Sequence, residues 1–223
     1  MILFTQPFAP SAGITEPSDI PVNAPGHAPL KILFMGYISK AKGAVDLIKC
    51  APRVLEKAGR DVEFNLCGEP LEKESNIIFV NGPDSGFSSI NDFVASHSLE
   101  RNVFLRGVVS GAEKERLFAA SDIFVLPSYS EGCPISLLEA MEHGLPVVAT
   151  RVGAVDEMLE EKVNCLFVRP GETNELADSI SALLSDPALR SKMGQSNKDL
   201  IKSRYSRETF IKKLSVIFQE GLN

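Results

Sequence analysis

Residues 121–150, SDIFVLPSYSEGCPISLLEAMEHGLPVVAT, decide the reading of this chain. The apolar run 123–126 predicts a strand. A polar loop follows, then a helix over about 134–143, then a second strand at 146–150. Glu131 and Glu139 flank the turn from loop to helix. On one continuous helix, eight positions would set two side chains roughly 80° and about 12 Å apart, too far to converge. Pro134 removes that arrangement, because proline suits the first turn of a helix, where its missing N–H costs nothing. Glu131 is therefore expected in the loop and Glu139 one turn into the helix. A loop folded back over a helix N-terminus aims both carboxylates at one ligand. It also leaves the first-turn N–H groups of Ile135 and Ser136 open to an anion such as phosphate.

Glu139 has apolar company: Ile135, Leu137, Leu138, Ala140 and Met141. A carboxylate in such surroundings is costly unless a group donates to it. Two adjacent hydroxyls, as on a ribose, suit an acceptor with two oxygens. The alternative is an edge residue that reaches water.

Working outward, the rest of the chain repeats the same alternation. Strands are predicted at 32–35, 62–67, 103–106, 123–126, 146–150 and 165–168. Helices are predicted at 43–58, 89–98, 112–120, 134–143, 155–160 and 173–184, with two more at 187–203 and 207–220. Residues 77–80 read either as an extra strand or as a buried loop. Alternating strands and helices predict an α/β fold, a Rossmann-like parallel sheet with helices on both faces and extra C-terminal helices. Residues 1–29 carry six prolines and no apolar period, so they read as a linker or lead-in. Residues 30–223 form the expected domain.

Bulk properties set limits. The 223 residues are 44% hydrophobic and carry a net charge of −6. An acidic balance argues against a nucleic-acid partner. No run approaches the ~20 apolar residues of a membrane span, and the N-terminal apolar stretch lacks a basic leader. Cys50, Cys67, Cys133 and Cys165 are widely spaced and suggest neither a metal pair nor a disulfide framework. Cys133 lies in the Glu131 loop, but no histidine neighbours it in sequence, which disfavours a nucleophile. His27, His97 and His143 show no ligand spacing, so no metal is expected.

Ligands of parallel sheets bind where strand ends feed helix N-termini. Three further loops there carry signals. In Gly36-Tyr37-Ile38-Ser39-Lys40-Ala41-Lys42-Gly43, a lysine precedes a helix start, where point charge and backbone donors suit a diphosphate. A solvated surface lysine is the bland reading. The other two loops are Gly68-Glu69-Pro70 and Arg106-Gly107-Val108-Val109; Arg106 reads as a strand-end residue.

Residues 121–150 resemble the donor-binding signature of retaining glycosyltransferases of the GT-B fold, family 4 type. The resemblance rests on Pro127-Ser128, Glu131-Gly132, Glu139-Ala140-Met141 and Gly144-Leu145-Pro146-Val147-Val148, and runs from about Lys31 to the C-terminus. It implies a nucleotide-diphospho-sugar donor, UDP- or GDP-linked, with no further cofactor and no metal. Glu131 is then the catalytic candidate, facing the donor sugar, and Glu139 holds the ribose. The diphosphate falls to Gly36, Tyr37, Lys42 and the turn Gly132-Cys133-Pro134-Ile135-Ser136. The base falls to backbone at Gly107 and Val108. In the family pattern an arginine follows the first glycine; here it is Tyr37, which implies a weaker diphosphate hold or a different donor. Retention is ascribed to same-face attack assisted by the leaving phosphate.

The resemblance also implies that this is one half of a GT-B architecture. The acceptor domain would then be a separate domain or subunit, and the acceptor a glycan or lipid-linked molecule. A cytoplasmic location, peripheral to the inner membrane face, is the corresponding expectation. The final helix, with Phe210, Leu214, Ile217 and Phe218, needs a partner for its apolar face, so self-association is expected. Two other readings stay open: a non-catalytic nucleotide-sugar binding module, and a hydrolase or epimerase on the same fold.

Overall fold

A computed structural model describes residues 28–70 and 90–205. The segment 77–80, read as either a strand or a buried loop, the expected helix at 207–220 and all but the end of the lead-in lie outside the described residues. In chain order the elements are β1 (Leu30–Met35), α1 (Ala44–Ala58), β2 (Val62–Cys67), α2 (Ile90–Ser96), β3 (Val103–Gly107), α3 (Gly111–Ala120) and β4 (Ile123–Leu126). There follow α4 (Ile135–Glu142), β5 (Val147–Thr150), α5 (Val155–Met158), β6 (Cys165–Val168), α6 (Thr173–Ser185) and α7 (Pro187–Leu200), which ends in a π-helical turn, Ile201–Tyr205.

The six strands form one sheet in the order β3-β2-β1-β4-β5-β6, every pair parallel. Successive side chains of a strand point to opposite faces, which divides the core in two. Ile32, Phe34, Phe64, Leu66, Ile123 and Val125 face α1, α2 and α6. Leu33, Phe124, Leu126, Val147 and Ala149 face α3, α4 and α5, where Phe118, Leu137 and Met141 meet them. Because both faces are covered, the central strands β4 (IFVL) and β5 (VVAT) are buried along their whole length and apolar but for Thr150.

Pro52 lies inside α1 without ending it. The helix buries Val45, Leu47, Ile48, Ala51 and Val54 against the sheet, and that burial outweighs the lost backbone bond. The C-terminal helices are tied on at the other end of the sheet. Pro187 opens α7, and the Asp186 side chain accepts from the Leu189 N–H at 2.9 Å. Asn197, wholly buried, donates to the carbonyls of Leu145 at 2.7 Å and Asn164 at 3.1 Å. Those carbonyls precede β5 and β6, so this anchor sits at the strands' amino ends. The carboxyl ends stay open.

Candidate functional site

The strand order reverses between β1 and β4, and a crevice opens there at the carboxyl edge. Its first wall is the loop after β1. Gly43 ends that loop with φ 69°, and a Cβ on it would fall 2.0 Å from the Pro127 carbonyl oxygen. Only glycine allows this approach, which presses Lys42 against the loop after β4. The loop after β2 runs alongside. Gly36 N–H donates to Cys67 O and Ile38 N–H to Glu69 O, each at 3.0 Å. Gly68, at φ 144°, would place a Cβ 1.8 Å from Gly36 O. Its own N–H donates to Gly107 O at 2.7 Å, which links in the loop after β3.

The loop after β4 is held from several directions. Thr150 Oγ1 donates to Ser128 O at 2.5 Å, and Tyr129 N–H donates to Ala41 O at 2.9 Å. The Tyr129 hydroxyl hydrogen-bonds Asp46, and burial, followed by the bond to Asp46, pushes the phenol up to about 12. Burial likewise pushes the Asp46 carboxyl above its usual range. Gly153 lies so close to the Glu131 backbone that a Cβ would sit 1.8 Å from Glu131 O. Within this frame the Glu131 side chain is 6% exposed, and both its oxygens are engaged. Ser128 Oγ donates to Oε1 at 2.7 Å, and Lys42 Nζ donates to Oε2 at 2.9 Å. Lys42 is thus ion-paired with the candidate acid, a contact across 89 residues of sequence.

Pro134 stands just ahead of α4 in extended conformation, φ −75° and ψ 103°, and the helix starts at Ile135. The first-turn N–H of Leu137 is taken by Pro134 O at 3.1 Å. Those of Ile135 and Ser136 come earlier in the turn, where an α-helix supplies no partner.

Glu139 departs from expectation. It does not stand unmet among apolar side chains: Lys114, from α3, donates to its Oε1 at 2.5 Å. Both side chains keep about a quarter of their exposure. The two glutamates also do not share one wall. The cavity in the crevice, about 490 Å³, is lined by Gly36, Tyr37, Lys42, Glu131, Cys133, Pro134, Ile135, Ser136 and Val108. Glu139, Gly132 and Gly107 are not on its lining. Glu139 is drawn off by Lys114, and Gly107 backs the wall through its carbonyl. Residues that the sequence did not single out for the site complete the cavity, namely Phe34, Met35, Cys67 and Leu126, with Gly68, Glu69 and Val109 from the noted loops. The strand-end glycine was the only available signal for the Cys67–Glu69 side. Lys114 left none, since its partner is 25 residues away.

Among the described residues on this lining, Lys42 is the sole cation, and the carboxylates are Glu69 and Glu131. Tyr37, Val108 and Ile135 are exposed apolar side chains at its rim. Arg106 points elsewhere, donating to Asn65 Oδ1 at 2.8 Å and lying over Phe104. Cys133 is exposed, whereas Cys50, Cys67 and Cys165 are buried. Among the described residues no group of three or more His, Cys, Asp or Glu is placed to hold a metal ion. No helix among them is long and apolar enough to cross a membrane.

Comparison with known proteins agrees with this fold. The chain is 28% identical over 189 residues to alpha-D-kanosaminyltransferase of Streptomyces kanamyceticus, covering 85% of this chain and 45% of that protein. It thus spans a little under half of that relative's length. A crystal structure of the C-terminal domain of a glycosyl transferase group 1 family protein from Francisella tularensis superposes with a TM-score of 0.69 at 27% identity. That match covers 80% of this chain and 87% of that one. S. aureus TarM, crystallised with fondaparinux, alpha-GlcNAc-glycerol and UDP, gives 0.68 at 27% identity, over 88% of this chain and 37% of that one. The profile of one family matches residues 16–200, beginning within the lead-in and running to the end of α7. The six-stranded sheet is therefore that of a GT-B glycosyltransferase domain, and the chain belongs to the family of glycosyl transferases group 1.

Proposed function

We propose that this chain is the donor-binding half of a retaining, metal-independent glycosyltransferase that takes a UDP- or GDP-linked sugar. The observation that carries the reading is one cavity at the strand-order reversal, lined by Lys42, Glu131 and the N-terminus of α4. Lys42 Nζ and the N–H groups of Ile135 and Ser136 hold the diphosphate, combining point charge with helix-end donors. Glu131, fixed by Ser128, meets hydroxyls of the donor sugar. Glu139 takes the ribose once Lys114 gives way. Backbone at Gly107 and Val108 reads the base.

In transfer, the anomeric C–O bond breaks and its electron pair goes to the diphosphate oxygen. The acceptor hydroxyl bonds to the same face, and its proton passes to that leaving oxygen. Charge developing on the leaving group is what Lys42 and the α4 N-terminus offset. The acceptor, a glycan or lipid-linked molecule at the cytoplasmic membrane face, is presented by a further domain or subunit.

Calorimetric titration of the 223-residue chain with UDP, GDP, ADP and their common sugar derivatives tests this. One nucleotide-sugar should bind at micromolar to low-millimolar strength, roughly 4–8 kcal/mol, and Glu139→Ala should abolish that binding. A folded chain that binds none of them would contradict the reading. A binding module without transfer is the second reading, favoured by the single cation on the lining and by Tyr37 at its rim. Binding without transfer when an acceptor domain is supplied would select it.

A further inference from the structure

The pairing of Lys42 with Glu131 has consequences for which ligand the cavity prefers. Glu131 is 6% exposed at its side chain, with one oxygen held by Ser128 from within the protein. The other oxygen is capped by the Lys42 ammonium at 2.9 Å, and Lys42 is 31% exposed. A ligand that enters the cavity therefore meets this carboxylate already ion-paired, and a sugar hydroxyl gains the strongest bond to it when Lys42 moves off. A diphosphate draws on the same ammonium, the sole cation among the described lining residues. With Glu69 and Glu131 counted, these groups sum to one net negative charge, unfavourable for a bare polyanion.

We propose that Glu131 and the diphosphate compete for Lys42, so that the site discriminates between an intact nucleotide-sugar and a free nucleoside diphosphate. A nucleotide-sugar compensates Glu131 for the lysine it loses, because a sugar hydroxyl donates to the vacated oxygen. A nucleoside diphosphate offers nothing in exchange and leaves a nearly buried carboxylate short of a partner. After transfer the sugar is gone, Glu131 recaptures Lys42, and the nucleoside diphosphate loses its cation. Glu131 is thus a specificity-determining residue that favours donor over product. The inference rests on the donor-site reading above.

Calorimetry with UDP and GDP, and with the sugar derivative that binds the parent chain, decides the matter. Glu131→Gln should bind the nucleoside diphosphate about tenfold more tightly than the parent, since an amide does not hold an ammonium as a carboxylate does. Its preference for the nucleotide-sugar over the nucleoside diphosphate should fall by at least as much. In a Lys42→Met background the same change should gain nothing, as expected for a coupled pair. Glu131→Asp keeps the charge but withdraws it by one methylene, so it should show a smaller gain in the same direction. It also serves if the Gln variant does not fold. Glu69→Gln removes the other lining carboxylate, which is not the one ion-paired with Lys42, and should gain clearly less than Glu131→Gln. Unchanged or weaker nucleoside diphosphate binding in both Glu131 variants overturns the inference and leaves the donor site standing. An equal gain in Glu69→Gln overturns it in the same way, as plain charge relief. Failure of the folded parent and of both Glu131 variants to bind any nucleotide overturns both.

Discussion

Three of the four thiols are sealed in the two halves of the core, and the fourth opens into the crevice. Burial pushes Cys67 up to about 11 and Cys165 up to about 12, and holds Cys50 higher still. Thiolate is the reactive form, so a disulfide reagent at pH 8 should modify Cys133 alone in the folded protein and all four thiols in denaturant. The same shifts tie stability to pH. The folded state keeps these protons more tightly than an unfolded chain, whose thiols titrate near 9. Their contribution is whole below that value and is lost as pH rises through about 11 and 12. Denaturant melts at fixed temperature should show stability level from pH 7 to 8 and falling beyond pH 10. Legibility also differed residue by residue. Glu131 and Lys42 were readable because proline, glycine and strand ends fix their backbone locally. Their mutual pairing was not, since nothing in a linear sequence orders two side chains 89 positions apart. Glu139 misled for the same reason: its apolar neighbours in sequence are the helix's buried face, while its own partner, Lys114, arrives from α3.

Among the elements, α4 carries the sharpest test. Pro134 already has the extended backbone that a following proline requires, and a first helical position accommodates proline. Ile135→Pro should therefore leave the melting temperature within about 3 °C of the parent. It removes one N–H that the proposed function assigns to the diphosphate, so on that reading UDP or GDP affinity should fall roughly fivefold to tenfold. Ile135→Ala, which keeps the N–H, controls for the lost side chain. Elements were the most legible scale. β2, β4 and β6 begin and end at the expected residues. Each is bounded by a polar residue, glycine or proline (Asp61 and Gly68, Asp122 and Pro127, Asn164 and Arg169), so sequence and structure share one boundary. Helix ends were less readable: α2 stops at Ser96 and α5 at Met158, each short of the expected limit. Short helices end where packing ends, and their polar last turns carry no stop signal.

At the scale of the whole molecule, chemistry and anchorage sit at opposite edges of the sheet. Asn197 bridges the amino ends of β5 and β6 to α7. Asn197→Leu would strand two buried carbonyls, at a cost of about 2–4 kcal/mol. Urea melts should register that loss, while nucleotide affinity, which the proposed function places at the far edge, should be unchanged in the fraction that remains folded. Four loops at the carboxyl edge, those after β2, β1, β4 and β5, meet in series through Gly68, Gly43 and Gly153, each set against a neighbour's carbonyl oxygen. For anyone redesigning this surface, that contact pattern makes the rim a single unit of exchange. A loop transplanted singly from a relative would arrive with the wrong curvature for the neighbours it must touch. Chimeras should succeed when all four are moved together.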